Sequence, residues 1–350
     1  MLNRDTISII LKYIDCENNK NMLMIKKFRN ILLMNNNIVF NFNLAPKNIS
    51  NNYDIHNDTH DILKRYNSVI LDNYFNRTIS FPENITCIHF GYSYNQSIDN
   101  LPSNIKYLTL GWNFNQPITN IPKNITKLKF GWDFNNTVEN LPHCLKKLYF
   151  DYCFDKPINN LPLYLTHLYL GHDFNQEINC LPITLKYLSL GYHFDKPIDN
   201  LPCNLKYLYL GDMFNNTVDK LPNSLTHLTF GYTFNQPVDN LPNSMIYLKF
   251  GEMFNKSVNN LPKNLSTIIF GYFFDNNVDY LPMSINKIYF SESFNKSIDK
   301  LPSNTKYISL GYWFDKKINK LPTKLKVLEL SKNYIKYHKL ESDSVDIRYY

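Results

Sequence analysis

The sequence is poor in small residues and in arginine. Among its 350 residues alanine occurs once, at Ala45, glycine ten times, and arginine five times against 32 lysines. Because alanine has the highest helix propensity, its near-absence argues against a mostly helical protein. Asparagine, isoleucine, tyrosine, phenylalanine and lysine are abundant, and AT-rich codons encode this set. A single lysine or asparagine therefore carries little functional weight.

Long apolar runs and paired cysteines are also missing. No apolar run approaches the roughly 18 residues of a membrane span. The N-terminus has neither an apolar h-region nor a cleavage site, and the six cysteines include no CxxC pair. We therefore expect a cytoplasmic protein with reduced thiols and no membrane contact. The net charge of +7 permits acidic partners without requiring them.

A period of twenty residues runs through most of the chain. Proline recurs at this interval from Pro82 to Pro322, which accounts for 13 of the 18 prolines. All ten glycines fall in one column of the same frame, and Asp151 and Ser291 fill the two gaps in that column. Such a period indicates a solenoid, because one unit cannot bury its apolar stripe alone whereas stacked units share a core.

The columns of the repeat predict its local structure when each unit is numbered from the residue before the proline. Positions 8 and 10 are apolar and positions 7 and 9 are variable, which indicates a short strand with one buried face. The glycine at position 11 predicts a turn that needs a positive φ or a close backbone approach. The structural turn glycines include Gly111, Gly131, Gly171, Gly191, Gly211, Gly231 and Gly251.

Two further columns lie after the glycine turn. Position 14 is Phe in eleven of the twelve units in residues 81–320, which predicts a bulky filler of the interior. Position 15 is Asn or Asp in all twelve. A side chain of this kind caps turn amides or bonds its counterpart on the next coil.

The motif of residues 201–218, Leu-Pro-x-x-Leu-x-x-Leu-x-Leu-Gly-x-x-Phe-Asn-x-x-Val, resembles the FNIP repeat. This repeat is a leucine-rich-repeat relative known from social amoebae and amoeba-infecting giant viruses. The resemblance implies a mainly β fold, a leucine-rich-repeat-like solenoid of about thirteen 20-residue coils with parallel strands. We predict that the solenoid spans residues 69–340, with twelve regular units at 81–320, and that residues 341–350 form a polar tail.

Residues 1–40 lack the period of twenty and have apolar residues at helical spacing, so we predict a small α-helical segment. The segment resembles an F-box, which would bind a Skp1-like adaptor. By this resemblance the adaptor-binding residues are Leu2, Ile10, Leu11, Ile14, Leu23, Ile25 and Phe28. The same pattern also fits a helical cap over the end of the solenoid. An Asn-rich connector, residues 41–68, follows the segment.

Charge is segregated within the repeat. In leucine-rich repeats positions 7 and 9 point to the concave side, and position 6 lies at its rim. Over twelve units these 36 sites hold ten lysines, nine tyrosines, three histidines and no acid. Of the 19 acids in residues 81–320, 18 lie at positions 11 to 19. This distribution predicts a basic, tyrosine-rich surface for an acidic protein target.

The residues that we assign to this target-binding surface are Tyr107, Lys127, Lys129, Lys147, Tyr149, His167, Tyr169, Tyr187, Tyr207, Tyr209, His227, Tyr247 and Lys249. Tyrosine and lysine also suit exposed strands that bind nothing, so an unliganded face is the alternative. Single-stranded nucleic acid favours lysine beside aromatic side chains as well, but these columns contain no arginine.

No motif points to catalysis. Glycines twenty residues apart cannot form GxGxxG, and the sequence has neither HExxH nor GxSxG. Histidines and cysteines stand in different columns, and His167 and His172 lie on opposite sides of the Gly171 turn. We therefore expect no enzymatic activity, no catalytic residue, no metal site and no cofactor.

Two functions remain open. In the first, the chain is the substrate-recognition subunit of an SCF-type (cullin) ubiquitin ligase, in which residues 1–40 bind a Skp1-like adaptor and the solenoid binds the target. In the second, it is a repeat scaffold or decoy binding protein whose N-terminus is only a solenoid cap. In either case we expect a monomer outside its complex, in the cytoplasm, or in the host cytoplasm if the chain is viral.

Overall fold

The computed structural model describes residues 38–40, 63–64, 66–71, 73–336, 338, 340 and 344–350. The chain divides into two compact units, Met1–Phe154 and Asp155–Tyr350. Each unit is a stack of short parallel strands joined by long irregular returns, so the predicted mainly β parallel solenoid is confirmed. Residues 1–37, which make up most of the F-box-like segment, lie outside the described residues.

The described residues of the first unit form six strands in chain order, and each strand pairs in parallel with the next. They are β1 (Ile38–Phe40), β2 (Ser68–Leu71), β3 (Cys87–His89), β4 (Tyr107–Thr109), β5 (Lys127–Lys129) and β6 (Lys147–Tyr149). From β3 onward the register is a shift of twenty residues, as in the pairing of Leu108 with Leu128.

In the second unit the part of the chain that the structure describes forms ten strands and one short helix, and these strands also pair in parallel with their sequence neighbours. The strands are β7 (His167–Tyr169), β8 (Tyr187–Ser189), β9 (Tyr207–Tyr209), β10 (His227–Thr229), β11 (Tyr247–Lys249), β12 (Thr267–Ile269), β13 (Lys287–Tyr289), β14 (Tyr307–Ser309), β15 (Val327–Leu330) and β16 (Asp346–Tyr349). The helix α1 (Lys332–Ile335) lies between β15 and β16.

Phenylalanine at position 14 forms a continuous spine in each unit. In the second unit the ring centroid of Phe214 lies 6.2 Å from those of both Phe194 and Phe234, and the rings are stacked. The spine ends at Tyr334 in α1, which packs 5.8 Å from Phe314. All of these side chains are buried, together with the apolar residues of positions 5, 8, 10 and 18. The predicted interior role of position 14 is therefore confirmed.

The glycine column is explained by close backbone approach. A Cβ atom at Gly131 would lie 1.8 Å from the carbonyl oxygen of Gly111, and one at Gly251 would lie 1.6 Å from that of Gly231. The φ angle lies outside the left-handed region at Gly111, Gly131, Gly191, Gly211, Gly231, Gly251, Gly271 and Gly311. Of the two reasons that the sequence allowed, a positive φ and a close approach, the second is the one that applies.

Asn and Asp at position 15 form a hydrogen-bond ladder between coils. The backbone N–H of Asn235 donates to Oδ1 of Asn215 at 2.9 Å, and that of Asn255 donates to Oδ1 of Asn235 at 3.0 Å. Asp195 plays the same part, since it accepts the N–H of Asn215 at 3.1 Å. Each residue at position 15 thus bonds its counterpart on the next coil. Either Asn or Asp can fill the position, because the bond uses only a side-chain oxygen.

The sheet extends beyond both predicted ends of the solenoid. Ile38–Phe40, at the end of the predicted helical segment, is β1 and pairs with β2. Residues 346–349, predicted as part of a polar tail, form β16 and pair with β15. Val345, Ile347 and Tyr349 alternate with exposed residues there, which is the pattern of an edge strand.

Candidate interaction surface

In each compact unit, the residues at positions 7 and 9 of successive repeats form a surface, which we call the strand face. The middle residue of every strand from β3 to β14 is buried, and its two neighbours are exposed or half-buried. This follows from the two-residue period of a strand. All thirteen predicted target-binding residues occupy this face, five in the first unit and eight in the second.

In the first unit the strand face is dominated by a lysine cluster, Lys127, Lys129 and Lys147, all of them exposed. The register of β5 and β6 places Lys127 directly beside Lys147. Like charges at neighbouring positions are destabilising unless something compensates them. The Lys127 ammonium lies 5.5 Å from the centre of the Tyr149 ring, within cation–π range, and Lys129 Nζ lies 3.7 Å from an oxygen of Asp151.

In the second unit the strand face is an aromatic array. Tyr207 stacks on His227 with ring centroids 4.6 Å apart, and His227 lies 5.7 Å from Tyr247. Tyr187 lies 4.8 Å from Tyr169 and 5.2 Å from Tyr209, so the rings of positions 7 and 9 also meet. The in-register strands hold identical positions about 4.8 Å apart, which is why aromatic residues in one column stack.

Three rings of this array, those of Tyr187, His227 and Tyr247, are held in their uncharged forms. Burial raises the pKa of Tyr187, and the neighbouring Tyr169 and Tyr209 hydroxyls raise it further. Burial likewise raises the pKa of Tyr247 and lowers the pKa of His227. Because a lowered pKa leaves His227 neutral at neutral pH, this histidine adds nothing to the positive charge that the lysines give the strand face.

A second aromatic row, which the sequence analysis did not single out, lies in the turns after β3 to β6. Its members, at position 12, are Tyr92, Trp112, Trp132 and Tyr152. Their centroids are 4.3, 5.8 and 4.1 Å apart in sequence order. Aromatic residues at position 12 of four consecutive repeats were the signal from which this row could have been predicted.

The structure gives no position for the predicted adaptor-binding residues. Leu2, Ile10, Leu11, Ile14, Leu23, Ile25 and Phe28 all lie outside the described residues. Within the part that is described, no helix combines the length and the apolar character needed to cross a bilayer.

Comparison with known proteins gives one family. The family model described as FNIP Repeat matches nine segments, some of which overlap, namely residues 75–113, 98–131, 114–153, 154–193, 194–233, 214–252, 234–273, 274–312 and 294–333. Together these segments cover well over half of the chain. No curated protein matches the chain.

Among solved structures, the chain is similar to CroV588, described as a novel circular LRR protein from a giant virus. The identity is 34%, the TM-score is 0.72, and the match covers 82% of this chain and 50% of CroV588. The chain thus spans about half the length of that relative. YopM from Yersinia enterocolitica WA-314 matches at 18% identity and a TM-score of 0.47, over 81% of this chain and 73% of YopM.

Proposed function

Since the chain belongs to the FNIP repeat family, we propose that it is a non-enzymatic interaction scaffold whose strand face binds an acidic protein. Stacked repeats present extended surfaces of this kind for binding. The observation that carries the proposal is the pairing of Lys127 with Lys147 on adjacent strands. Two exposed ammonium groups side by side are costly alone and become favourable opposite a carboxylate-rich partner.

The aromatic array supports a protein partner over single-stranded nucleic acid. Base stacking needs a ring face that is open to the ligand. Tyr207, His227 and Tyr247 stack on one another along the column, so their faces are largely occupied. What they offer outward is ring edges and hydroxyl groups, which suit hydrogen bonds and apolar contacts with a polypeptide.

Charge reversal tests this surface. The variant carries Lys127→Glu, Lys129→Glu and Lys147→Glu, and a control of equal charge carries Lys123→Glu, Lys256→Glu and Lys263→Glu at exposed positions off the strand face. Labelled polyglutamate and oligothymidylate are the probes, followed by comparison of the proteins that each form captures from amoebal lysate. We expect salt-dependent polyglutamate binding that the first variant loses and the control keeps. Equal binding by both variants, or binding of oligothymidylate alone, would refute the proposal.

At a finer level, we propose that the scaffold is the substrate-recognition subunit of an SCF-type ubiquitin ligase in the cytoplasm. The support is the resemblance of residues 1–40 to an F-box, with Leu11 and Ile14 in the apolar pattern. In such an assembly the chain would act by proximity, because holding a target beside a charged ubiquitin-conjugating enzyme raises its effective concentration. The competing function is a plain scaffold or decoy in which the N-terminal segment only caps the solenoid.

A purified Skp1-like adaptor separates these two functions. The test variant is Leu11→Asp with Ile14→Asp, and the control is Asn18→Asp with Asn19→Asp in the polar part of the same segment. A deletion should stop at residue 36, because β1 begins at Ile38 and belongs to the sheet. An F-box predicts adaptor binding that the test variant loses without a change in Tm. A cap predicts no adaptor binding and a lower Tm for the test variant.

A further inference from the structure

His172, Asp173 and His193 form a cluster in the turns that follow β7 and β8, away from the strand face. We propose that they bind one divalent transition-metal ion, with Zn²⁺ as the leading candidate. Within the described part of the chain they are the only group of three such side chains close enough to share an ion. From the sequence alone we expect no metal site, and the proposed site revises that expectation.

The distances between the donor atoms fit a small coordination sphere. His172 Nδ1 lies 2.7 Å from Asp173 Oδ1, and His193 Nε2 lies 3.9 Å from the same oxygen. All three donor atoms lie within 4.8 Å of one another. Ligands of tetrahedral zinc lie about 2.0–2.1 Å from the ion and hence about 3.4 Å from each other. Small side-chain rotations are therefore enough to accommodate an ion.

The backbone holds the two turns together before any ion binds. The N–H of His193 donates to the carbonyl oxygen of His172 at 2.9 Å, which ties one turn to the next. The His172 ring stacks on Tyr192 with centroids 4.7 Å apart and planes 7° apart. The His193 ring stands perpendicular to that of His172, at 4.8 Å. The side chains of the cluster are thus placed by the coil spacing and by ring packing.

The ligand chemistry selects the class of ion. Two imidazoles and one carboxylate suit Zn²⁺, Cu²⁺ and Ni²⁺, whereas Mg²⁺ and Ca²⁺ prefer oxygen ligands. The exposed fractions of the His172, Asp173 and His193 side chains are 29%, 37% and 47%. An ion can therefore enter from solvent, and water can complete its coordination. The alternative is that Asp173 simply accepts a hydrogen bond from one histidine, with no metal involved.

Calorimetric titration of the full chain with Zn²⁺ distinguishes a metal site from a simple hydrogen bond between Asp173 and a histidine. The test variants are Asp173→Asn and His193→Gln, and His143→Gln, which changes an exposed histidine elsewhere, is the control. We expect one Zn²⁺ per chain, retained in the control. Loss of a partner outside the coordination sphere already reduces metal affinity by about 10- to 100-fold, so loss of a ligand should reduce it at least as much.

Two further readouts guard against adventitious binding and misfolding. Zn²⁺ should raise the Tm of the wild type and the control but not of the test variants, whose metal-free Tm should equal that of the wild type. Binding should also weaken on acidification, because metal ligands must be deprotonated and protons therefore compete with the ion. Absence of binding, or equal binding by Asp173→Asn, His193→Gln and wild type, would overturn the proposal and leave the strand-face function untouched.

Discussion

A Cβ atom on Gly211 would lie 1.6 Å from the carbonyl oxygen of Gly191. No side chain can absorb this overlap, because the atom that it meets belongs to the backbone of the preceding coil. The contact shows why the chain, which has no glycine outside this column, keeps glycine at this position.

We predict that Gly211→Ala is strongly destabilising. The two coils must separate locally to admit the methyl group, which weakens the packing on both sides. The free energy of unfolding should fall by about 3 kcal/mol or more, at the upper end of overpacking effects. Urea denaturation followed by circular dichroism measures this change.

Ser291→Ala is the matched control, because Ser291 occupies the glycine column and its coil already accommodates a Cβ atom. The substitution removes one hydrogen bond, from the Ser291 hydroxyl to the Phe274 carbonyl at 2.9 Å. It should cost only about 1 kcal/mol. Similar losses at Gly211 and Ser291 would contradict the close-approach explanation.

The position-15 ladder makes a prediction about oxygen acceptors. Asn215 Oδ1 accepts hydrogen bonds from the Asn235 N–H and from the side-chain amide of Gln236. Asn215→Ala removes the acceptor and should cost about 0.5–1.5 kcal/mol. Asn215→Asp keeps an oxygen in place and should change stability by less than Asn215→Ala. Chemical denaturation of the two variants side by side checks this, and an equal loss would rule the ladder out as the cause.

The phenylalanine spine predicts a large cavity penalty. Phe214 is fully buried between Phe194 and Phe234, so Phe214→Ala should lower the free energy of unfolding by about 3–5 kcal/mol. Phe273 belongs to the same kind of coil but is 46% exposed, and Phe273→Ala should change stability by less than about 1 kcal/mol. Thermal and urea unfolding measure both variants, and comparable effects would argue against the spine as the core.

Acid sensitivity follows from Asp99. Hydrogen bonds from the Ser97 and Thr119 hydroxyls, with a weaker one from the Asn120 backbone, hold the pKa of this carboxyl below its usual value. A carboxyl with a lowered folded-state pKa stabilises the fold above its unfolded pKa, and that contribution disappears as the pH falls through the folded pKa.

The wild type should therefore lose stability below about pH 4, where an unfolded aspartate takes up its proton. Asp99→Asn should be slightly less stable at neutral pH and should lose less stability on acidification. Denaturant midpoints between about pH 6 and about pH 2.5 measure the difference. Parallel pH profiles for the two proteins would exclude Asp99 as a contributor.

Much of the coil could be predicted from the sequence because its contacts repeat. The alternation around Leu208 predicts a strand, and the twenty-residue shift then fixes which residues neighbour each other across coils. The edge strand β16 was missed because its period differs from twenty, since Leu328 pairs with Ile347. Local alternation at Val345, Ile347 and Tyr349 was the remaining signal.

The metal-binding cluster shows what a column-by-column interpretation overlooks. Asp173 and His193 share position 13, but His172 lies at position 12, so no single column contains all three. Only the stacking of successive turns places His172 and Asp173 of one coil against His193 of the next. The approach of Asp151 to Lys129 across coils was hidden for the same reason.

The ladder of Asn215, Asn235 and Asn255 has a consequence for how such a protein can evolve. Each bond of the ladder joins two successive coils, and its donor is a backbone N–H group that every coil possesses. Excision of residues 221–240 would place Asn255 against Asn215 with the same atoms in contact. Duplication of that stretch would add one more coil with its own bond in the ladder. Whole coils can therefore be added or removed in evolution while every remaining bond of the ladder keeps the same kind of donor and acceptor.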